Sequence, residues 1–265
     1  MLKMDIALFL VITFVAYMYF TAEKRHNLLH QIFSALLIVM PVHLVLDAIT
    51  LYAVCNLDKV PLWLTEISHR FFIGTMVLMT YLFYQYIAVL IETKTGKKRI
   101  LDVPALIFLG ITELGTLLLP IYYSITPKGN FSSGPCTYMC YAGAAFYLSL
   151  CTWLLISNWK IIDPKEKSAI GVALLVELAV SVLQAFNPTW LISGMGLTLM
   201  TLSFYLTLEN PDILRAELTE QKMSMLYLKS QVNPHFLYNT LDAIRIQAQL
   251  NGDKKVADLL MRLVD

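Results

Sequence analysis

The sequence predicts an all-α membrane protein, in which a bundle of seven transmembrane helices precedes a cytoplasmic helical tail. Composition predicts the membrane part: 57% of the 265 residues are hydrophobic and 15% are charged, whereas a soluble domain is about a quarter charged. Mean hydropathy is +0.63. Charge distribution predicts the tail, because 15 of the 39 charged residues lie in the last 57. The net charge of +1 gives no basic excess for phosphates, so we expect no nucleic acid partner.

Seven apolar stretches approach the roughly 20 residues that a helix needs to cross the hydrocarbon core. They cover residues 6–21, 29–53, 67–91, 103–124, 138–159, 169–187 and 190–208. The first is followed by charged residues rather than by a small-residue cleavage site, so we interpret it as an uncleaved span. The weakest division is at residues 187–189. If the last two spans formed one continuous helix there, the bundle would have six spans.

Basic residues in the connections indicate the orientation of the bundle. Nine lie in the connections after spans one, three and five, and four lie on the opposite side. The positive-inside rule then places the amino terminus outside and the tail in the cytoplasm. We therefore expect a multi-pass protein of a bacterial plasma membrane, in contact with membrane lipid.

Six ionisable side chains in or beside the apolar stretches are candidate site residues, because ionisable groups in hydrocarbon are costly unless they face the bundle interior or water. They are His43, Asp47, His69, Arg70, Glu113 and Glu177. His43 and Asp47 are four residues apart on one helical face, near the level of His69 and Arg70. Two interpretations remain open: a ligand site in the outer half of the bundle, or side chains that pair to lock helices together.

The cysteines leave a similar choice. Cys55 and the outer loop 126–141, with Cys136 and Cys140, fall on the same face, so a disulfide is one alternative in an oxidising compartment. Unpaired thiols packed at the membrane boundary are the other. No Cys or His spacing matches a metal site, and we expect neither metal nor cofactor in this chain.

The tail carries two heptad seams, which indicate a coiled coil between two copies of the chain. The first comprises Leu214, Leu218, Gln221, Met225, Leu228 and Val232, and the second Leu237, Leu241, Ile244 and Ala248. The phase slips between them at Pro234, where a kink is expected. His235 lies off both seams, so we expect it to face solvent, where a phosphoryl donor can reach a nucleophilic imidazole.

The string from residue 228 to residue 241, LKSQVNPHFLYNTL, resembles the phosphoacceptor segment of the LytS-like sensor histidine kinases, a class of the GHKL kinases. The resemblance implies phosphorylation of His235, a homodimer, and transfer of the phosphoryl group to a response regulator. Asn239, one turn on, would orient the imidazole. Many other histidine kinases place an acidic residue directly after the histidine, where this chain has Phe236, and Asp242 is a weak candidate for that role. Asn251-Gly252-Asp253 predicts a turn before a second helix.

The resemblance implies three parts: a sensor bundle (1–208), a signalling coiled coil (209–232) and a partial dimerisation and phosphoacceptor domain (233–265). It also implies an ATP-binding domain that holds ATP and Mg²⁺, whose asparagine-box and glycine-lid motifs do not occur here. We therefore expect a fragment of a membrane sensor kinase of a two-component system, inactive alone, that answers an unknown extracellular or membrane stimulus. The alternative is a non-enzymatic seven-helix receptor or scaffold that dimerises through its tail, and a transporter is a third possibility.

The charge bias makes a topology prediction. A reporter fused after Asp265 is expected to be active only in its cytoplasmic form, and one inserted in the 126–141 loop only in its external form. Activity assays on the two fusions check this. An external carboxyl terminus would contradict the seven-span prediction.

Overall fold

The computed structural model describes residues 2–22, 27–96, 99, 101–127, 129–187, 189–231 and 234–264. It is all-α in character, with about 82% of the chain in helices. Two compact units follow each other along the chain, residues 1–211 and 212–265. The first contains the apolar helices and the second contains the tail.

Each predicted span corresponds to a helix of the first unit. The helices are α1 (Leu2–Thr21), α2 (Leu28–Cys55), α3 (Leu62–Thr95), α4 (Asp102–Leu118), α5 (Pro135–Ser157), α6 (Pro164–Phe186) and α7 (Ser193–Phe204). Within the described residues, five of them (α1, α2, α3, α5 and α6) are long and apolar enough to cross a membrane. The other two, α4 and α7, are shorter, at 17 and 12 residues. The helices α6 and α7 are separate, as predicted from the break at 187–189.

Local signals account for several helix ends. The Asn27 carboxamide accepts a hydrogen bond from the His30 amide at 2.8 Å and begins α2, which is ordinary N-cap chemistry. Asp163 and Glu166 form a capping box at the start of α6. Gly96 ends α3 in the left-handed region, with φ of 65°, a conformation that costs glycine little. These ends lie outside the apolar runs, so α3 and α6 extend beyond their predicted spans.

The outer loop differs from the expectation. Residues 119–124 do not continue span four as predicted. The helix α4 ends at Leu118, and strands β1 (Tyr122–Thr126) and β2 (Gly129–Ser133) form an antiparallel hairpin. The aromatic and β-branched residues of β1, which reads YYSIT, favour a strand over a helix. Asn130 fastens the hairpin to α2 by donating to the Val54 carbonyl at 2.8 Å.

The core of the first unit is centred on α3, which packs against α2, α4 and α5. Aromatic rings fill its interior, and Tyr84 and Tyr147 approach with centroids 6.1 Å apart. All four cysteines are free thiols, with Cys55 exposed and the other three buried. The structure thus agrees with the unpaired alternative.

Three carboxylates, those of Asp47 and Glu177 buried and that of Glu113 partly buried, each face a glycine of a neighbouring helix. A methyl group at these glycines would lie 2.5–2.8 Å from the carboxylate oxygen, closer than atoms pack. The pairs are Asp47 with Gly194, Glu113 with Gly74, and Glu177 with Gly196. Each glycine therefore leaves room for a carboxylate between two helices. Two of the three glycines, Gly194 and Gly196, belong to α7.

The second unit, which begins at Asp212, contains the tail helices α8 (Pro211–Gln231, all but its first residue), α9 (Pro234–Leu250) and α10 (Lys254–Val264). The predicted kink falls between α8 and α9, where the backbone lies outside the described residues, and stays a prediction. Val232 and Asn233, in the predicted seam and motif, lie outside the described residues. Gly252, with φ of 77°, makes the predicted turn, and α9 packs against α10 as a hairpin.

We predict that Gly196→Ala lowers the free energy of unfolding by about 1–3 kcal/mol, the usual cost of overpacking. The added methyl group would meet Glu177 at 2.5 Å and Val180 at 3.1 Å, both on α6. The control is Gly171→Ala, because nothing lies within 4 Å of its added methyl group. Thermal unfolding of the purified chain in detergent measures both. Equal midpoints for the two variants would contradict the close contact between α6 and α7.

Candidate functional site

Two of the six candidate membrane residues meet at one aromatic ring. The His43 ring stacks on Phe72 with centroids 5.1 Å apart, and the His69 ring lies 5.9 Å from the same phenyl group. His43 Nδ1 lies 2.8 Å from Thr75 Oγ1, so it also joins α2 to α3. Both imidazoles are almost fully buried. The structure thus brings His43 and His69 together at the end of the bundle that carries the hairpin.

His69 connects this cluster to the hairpin. Its Nε2 lies 3.2 Å from Ser132 Oγ in β2, and its Nδ1 has no hydrogen-bond partner within the described residues. A cavity of about 30 Å³ lies beside His69, with Thr137, Tyr141 and Gln184 in its wall. That volume holds one or two water molecules. It is too small for an organic ligand in this conformation.

Arg70 does not join the cluster. Its guanidinium donates to the main-chain carbonyls of Thr116, Leu117 and Leu119 at 2.6, 3.0 and 2.9 Å. These carbonyls end α4, where helical carbonyls have no internal partner and the helix dipole is negative. Arg70 therefore holds α3 against α4 as a C-terminal cap.

The three carboxylates also point to different places. Asp47 faces α7 from α2, Glu177 faces α7 from α6, and Glu113 faces α3 from α4. Each keeps one buried oxygen without a hydrogen-bond partner within the described residues. The six candidates therefore do not form one constellation, and most of them contact a neighbouring helix rather than each other.

A second polar network lies where the chain leaves the bundle. After α7 the backbone forms a π-helical segment, Tyr205–Glu209, before α8 begins. Tyr86 of α3 donates to Glu209 Oε1 at 2.7 Å, and His30 Nδ1 lies 3.8 Å from Glu209 Oε2. Tyr19 of α1 reaches the same imidazole at 2.6 Å. Thus α2 and α3 hold the last residue of the π segment directly and α1 supports it through His30, and we name these four residues the exit network.

Sequence reasoning missed the exit network. His30 and Glu209 lie at the ends of predicted spans, where charged residues ordinarily face water. The signal that could have found it is the number of tyrosines near the predicted inner ends of spans one and three, because buried tyrosine hydroxyls seek polar partners.

In the tail, the backbone places residue 235 in the first turn of α9, directly after Pro234 at its first position, which proline favours. The side chain of His235 lies outside the described residues, so its predicted exposure remains a prediction. Asn239 is exposed and lies one turn further along α9.

Asp242 pairs with Arg245 at 2.7 Å. Phe236 is 68% exposed, and an apolar ring at that exposure suits a further contact.

Part of the tail is similar to a known protein family. Residues 223–265 match the family model described as histidine kinase. The match covers the end of α8 together with α9 and α10, and supports a histidine kinase family for this segment. No curated protein matches the chain significantly.

Proposed function

We propose that this chain is the sensor and phosphoacceptor portion of a membrane histidine kinase of the LytS-like class. One observation carries the proposal: the string SQVNPHFLYNTL, residues 230–241, lies inside the segment that matches histidine kinases and follows a bundle of apolar helices. A membrane scaffold would have no chemical need for a histidine at this point of such a string.

The reaction proposed for His235 is a phosphoryl transfer. A neutral ring nitrogen attacks the γ-phosphorus of ATP, the bond from that phosphorus to the bridging oxygen breaks, and ADP leaves while the imidazole loses its proton. The phosphoryl group then passes to an aspartate of a response regulator. ATP and Mg²⁺ belong to the ATP-binding domain that the resemblance implies, and Mg²⁺ there would neutralise the phosphate charge. This chain supplies the acceptor.

Two neighbours of His235 have proposed supporting roles. Asn239 follows four residues later, so it shares a helical face with His235 and would hold the imidazole by a hydrogen bond. The carboxylate of Asp242 pairs with Arg245 at 2.7 Å, so it is directed at a residue of its own helix rather than kept for His235. The base is therefore expected to come from outside this helix or from water.

Dimerisation is proposed to occur through the tail. Leu218 and Met225 of the first seam, and Ile244 of the second, are exposed in the single chain. Exposed apolar side chains at heptad spacing gain stability by packing against a second copy. The partners proposed are thus a second copy of this chain and a response regulator, with the tail in the cytoplasm of a bacterial cell.

The exit network provides the proposed route from sensor to tail. The helix α7 continues through the π segment into α8, so a shift of α7 must pass Glu209. Glu209 is held by α2 and α3 in the described conformation. A stimulus that favours a second packing of α7 would release or re-form these contacts and change how His235 is presented.

The central prediction concerns His235. Joined to the ATP-binding domain of a close relative, the chain is expected to incorporate an acid-labile, base-stable phosphate, as phosphorus bound to nitrogen does. His235→Gln should abolish the label and keep the dimer, because surface substitutions usually change stability by less than about 0.5 kcal/mol. Asn239→Ala should reduce the label without abolishing it. Radiolabelling and light scattering measure the two properties.

Two outcomes would contradict this. A label that persists in His235→Gln, or that survives acid as phosphoserine does, would overturn the acceptor assignment. Loss of the dimer together with the label would show that His235 packs in the interface.

A further prediction tests the exit network. Tyr86→Phe removes the hydrogen bond to Glu209, worth about 1 kcal/mol or about a fivefold change in an equilibrium, and should change the rate of His235 labelling by about that factor. Tyr147→Phe is the control: its buried hydroxyl donates one hydrogen bond of similar length, 2.9 Å, to the Ala105 carbonyl. Both should lower the unfolding midpoint alike. Equal effects on labelling would show that labelling follows stability rather than the exit network.

A further inference from the structure

Four oxygen-bearing side chains lie near one end of α1, α2 and α7 with unused polar atoms. Asp5, Asp47, Thr50 and Ser193 are all at most 5% exposed. Each has a buried oxygen without a hydrogen-bond partner within the described residues. Buried polar atoms are nearly always satisfied by protein, water or a ligand, so four in one region call for a common partner.

Packing brings the four together. Asp47 and Thr50 are three residues apart on one face of α2. Asp47 Oδ2 lies against Gly194, the residue after Ser193, where an added methyl group would be 2.5 Å away. Asp5 lies in the first turn of α1, and its charge acts on Asp47. The helix α1 packs against both α2 and α7, which closes the arrangement from the third side.

Apart from the charge of the amino terminus, which acts on Asp5, the described residues supply no group that neutralises this pair of carboxylates. Within the described residues, neither Asp5 nor Asp47 forms an ion pair with a lysine, arginine or histidine side chain within 4.0 Å. Two carboxylates in an apolar bundle cost several kcal/mol unless a proton or a cation compensates. None of the four unused oxygens of Asp5, Asp47, Thr50 and Ser193 has a hydrogen-bond partner within the described residues, so a proton on one carboxyl would leave the others without a partner, whereas one cation can accept lone pairs from several oxygens.

The donor atoms define the class of ion. All four are oxygens, which suit hard cations. Within the described residues, no three His, Cys, Asp or Glu side chains converge, so nitrogen and sulfur ligands for a transition metal are lacking. We propose that Asp5, Asp47, Thr50 and Ser193 form a binding site for a hard metal cation of the alkali or alkaline-earth class, between α1, α2 and α7.

The site also deepens the proposed function. A cation there would tie the first turn of α7 to α1 and α2, and α7 continues through the exit network into the tail. Its occupancy would therefore bias the packing that presents His235. This consequence rests on the proposed function, whereas the binding does not.

The test is cation binding by the purified full-length chain in detergent. CaCl2, MgCl2 and NaCl are titrated separately at constant ionic strength, with choline chloride as the cation too large for the site, and unfolding midpoints and equilibrium dialysis with ⁴⁵Ca or ²²Na are recorded. We expect a saturable rise of the midpoint of a few degrees for at least one metal ion, since a ligand of the folded state stabilises it. Choline should have no effect. Titration with Ca²⁺ or Mg²⁺ tests whether the bound ion neutralises both carboxylates. Titration with Na⁺ tests whether it neutralises one of them.

Variants locate the site. We expect the affinity for the ion to fall at least tenfold in each of two variants, Asp47→Asn and Asp5→Asn. We expect a smaller fall in Thr50→Val. Glu113→Gln is the control, because Glu113 is a partly buried carboxyl that also lies against a glycine, on α4 rather than on the three helices of the site. The affinity of the Glu113→Gln variant for the ion should equal that of the unaltered chain. If Asp47→Asn fails to fold, Asp5→Asn and Thr50→Val answer the question.

The outcomes separate the two proposals. Absence of saturable metal binding, or binding unchanged in Asp5→Asn and Thr50→Val, would overturn the cation site. Binding that these variants weaken, without any effect of the ion on His235 labelling, would uphold the site and overturn its role in signalling. Binding that persists in His235→Gln after the label is lost is expected under both proposals.

Discussion

The arrangement of the bundle depends on the cost of placing carboxylates among apolar helices. Asp47, Glu113 and Glu177 lie within apolar stretches, where lipid-facing carboxylates would be prohibitive. Each instead points between helices at a glycine of the facing helix, whose missing side chain leaves the space. Because an added methyl group would collide with the carboxylate oxygen, these glycines allow a carboxylate to fit where α2 and α6 pack against α7 and where α4 packs against α3.

This constraint applies most strongly to α7. It is the shortest helix of the bundle, and its first turns carry Gly194 and Gly196, which receive carboxylates from α2 and α6. At its other end the backbone widens into a π segment, a distortion that often accompanies function. Glu209 is then held by Tyr86. The helix that leads to the tail thus has carboxylates against its first turns and Glu209 hydrogen-bonded beyond its end, while Leu197, Met200 and Phe204 pack in the apolar core between them.

The two units depend on different physical terms. In the bundle, arginine caps, histidine contacts and carboxylate–glycine pairs set the packing, because between lipid-embedded helices the hydrophobic effect contributes little. In the tail, the single chain leaves large apolar side chains such as Met225 and Phe236 exposed. The hydrophobic effect therefore favours association there, and the histidine kinase match covers this same part of the chain.

Local patterns in the sequence determined the helices, the turn at Gly252 and the string from residue 230 to residue 241, because each depends on residues within a few positions of one another. The end of α4 and the β-hairpin escaped prediction, since an apolar run alone does not distinguish a helix from a strand. Only the tertiary structure decided that Arg70 caps α4, that Asp47 and Glu177 face α7, and that Tyr86 holds Glu209. Those partners lie 19 to 147 residues apart in the chain, and no periodicity encodes which helices become neighbours.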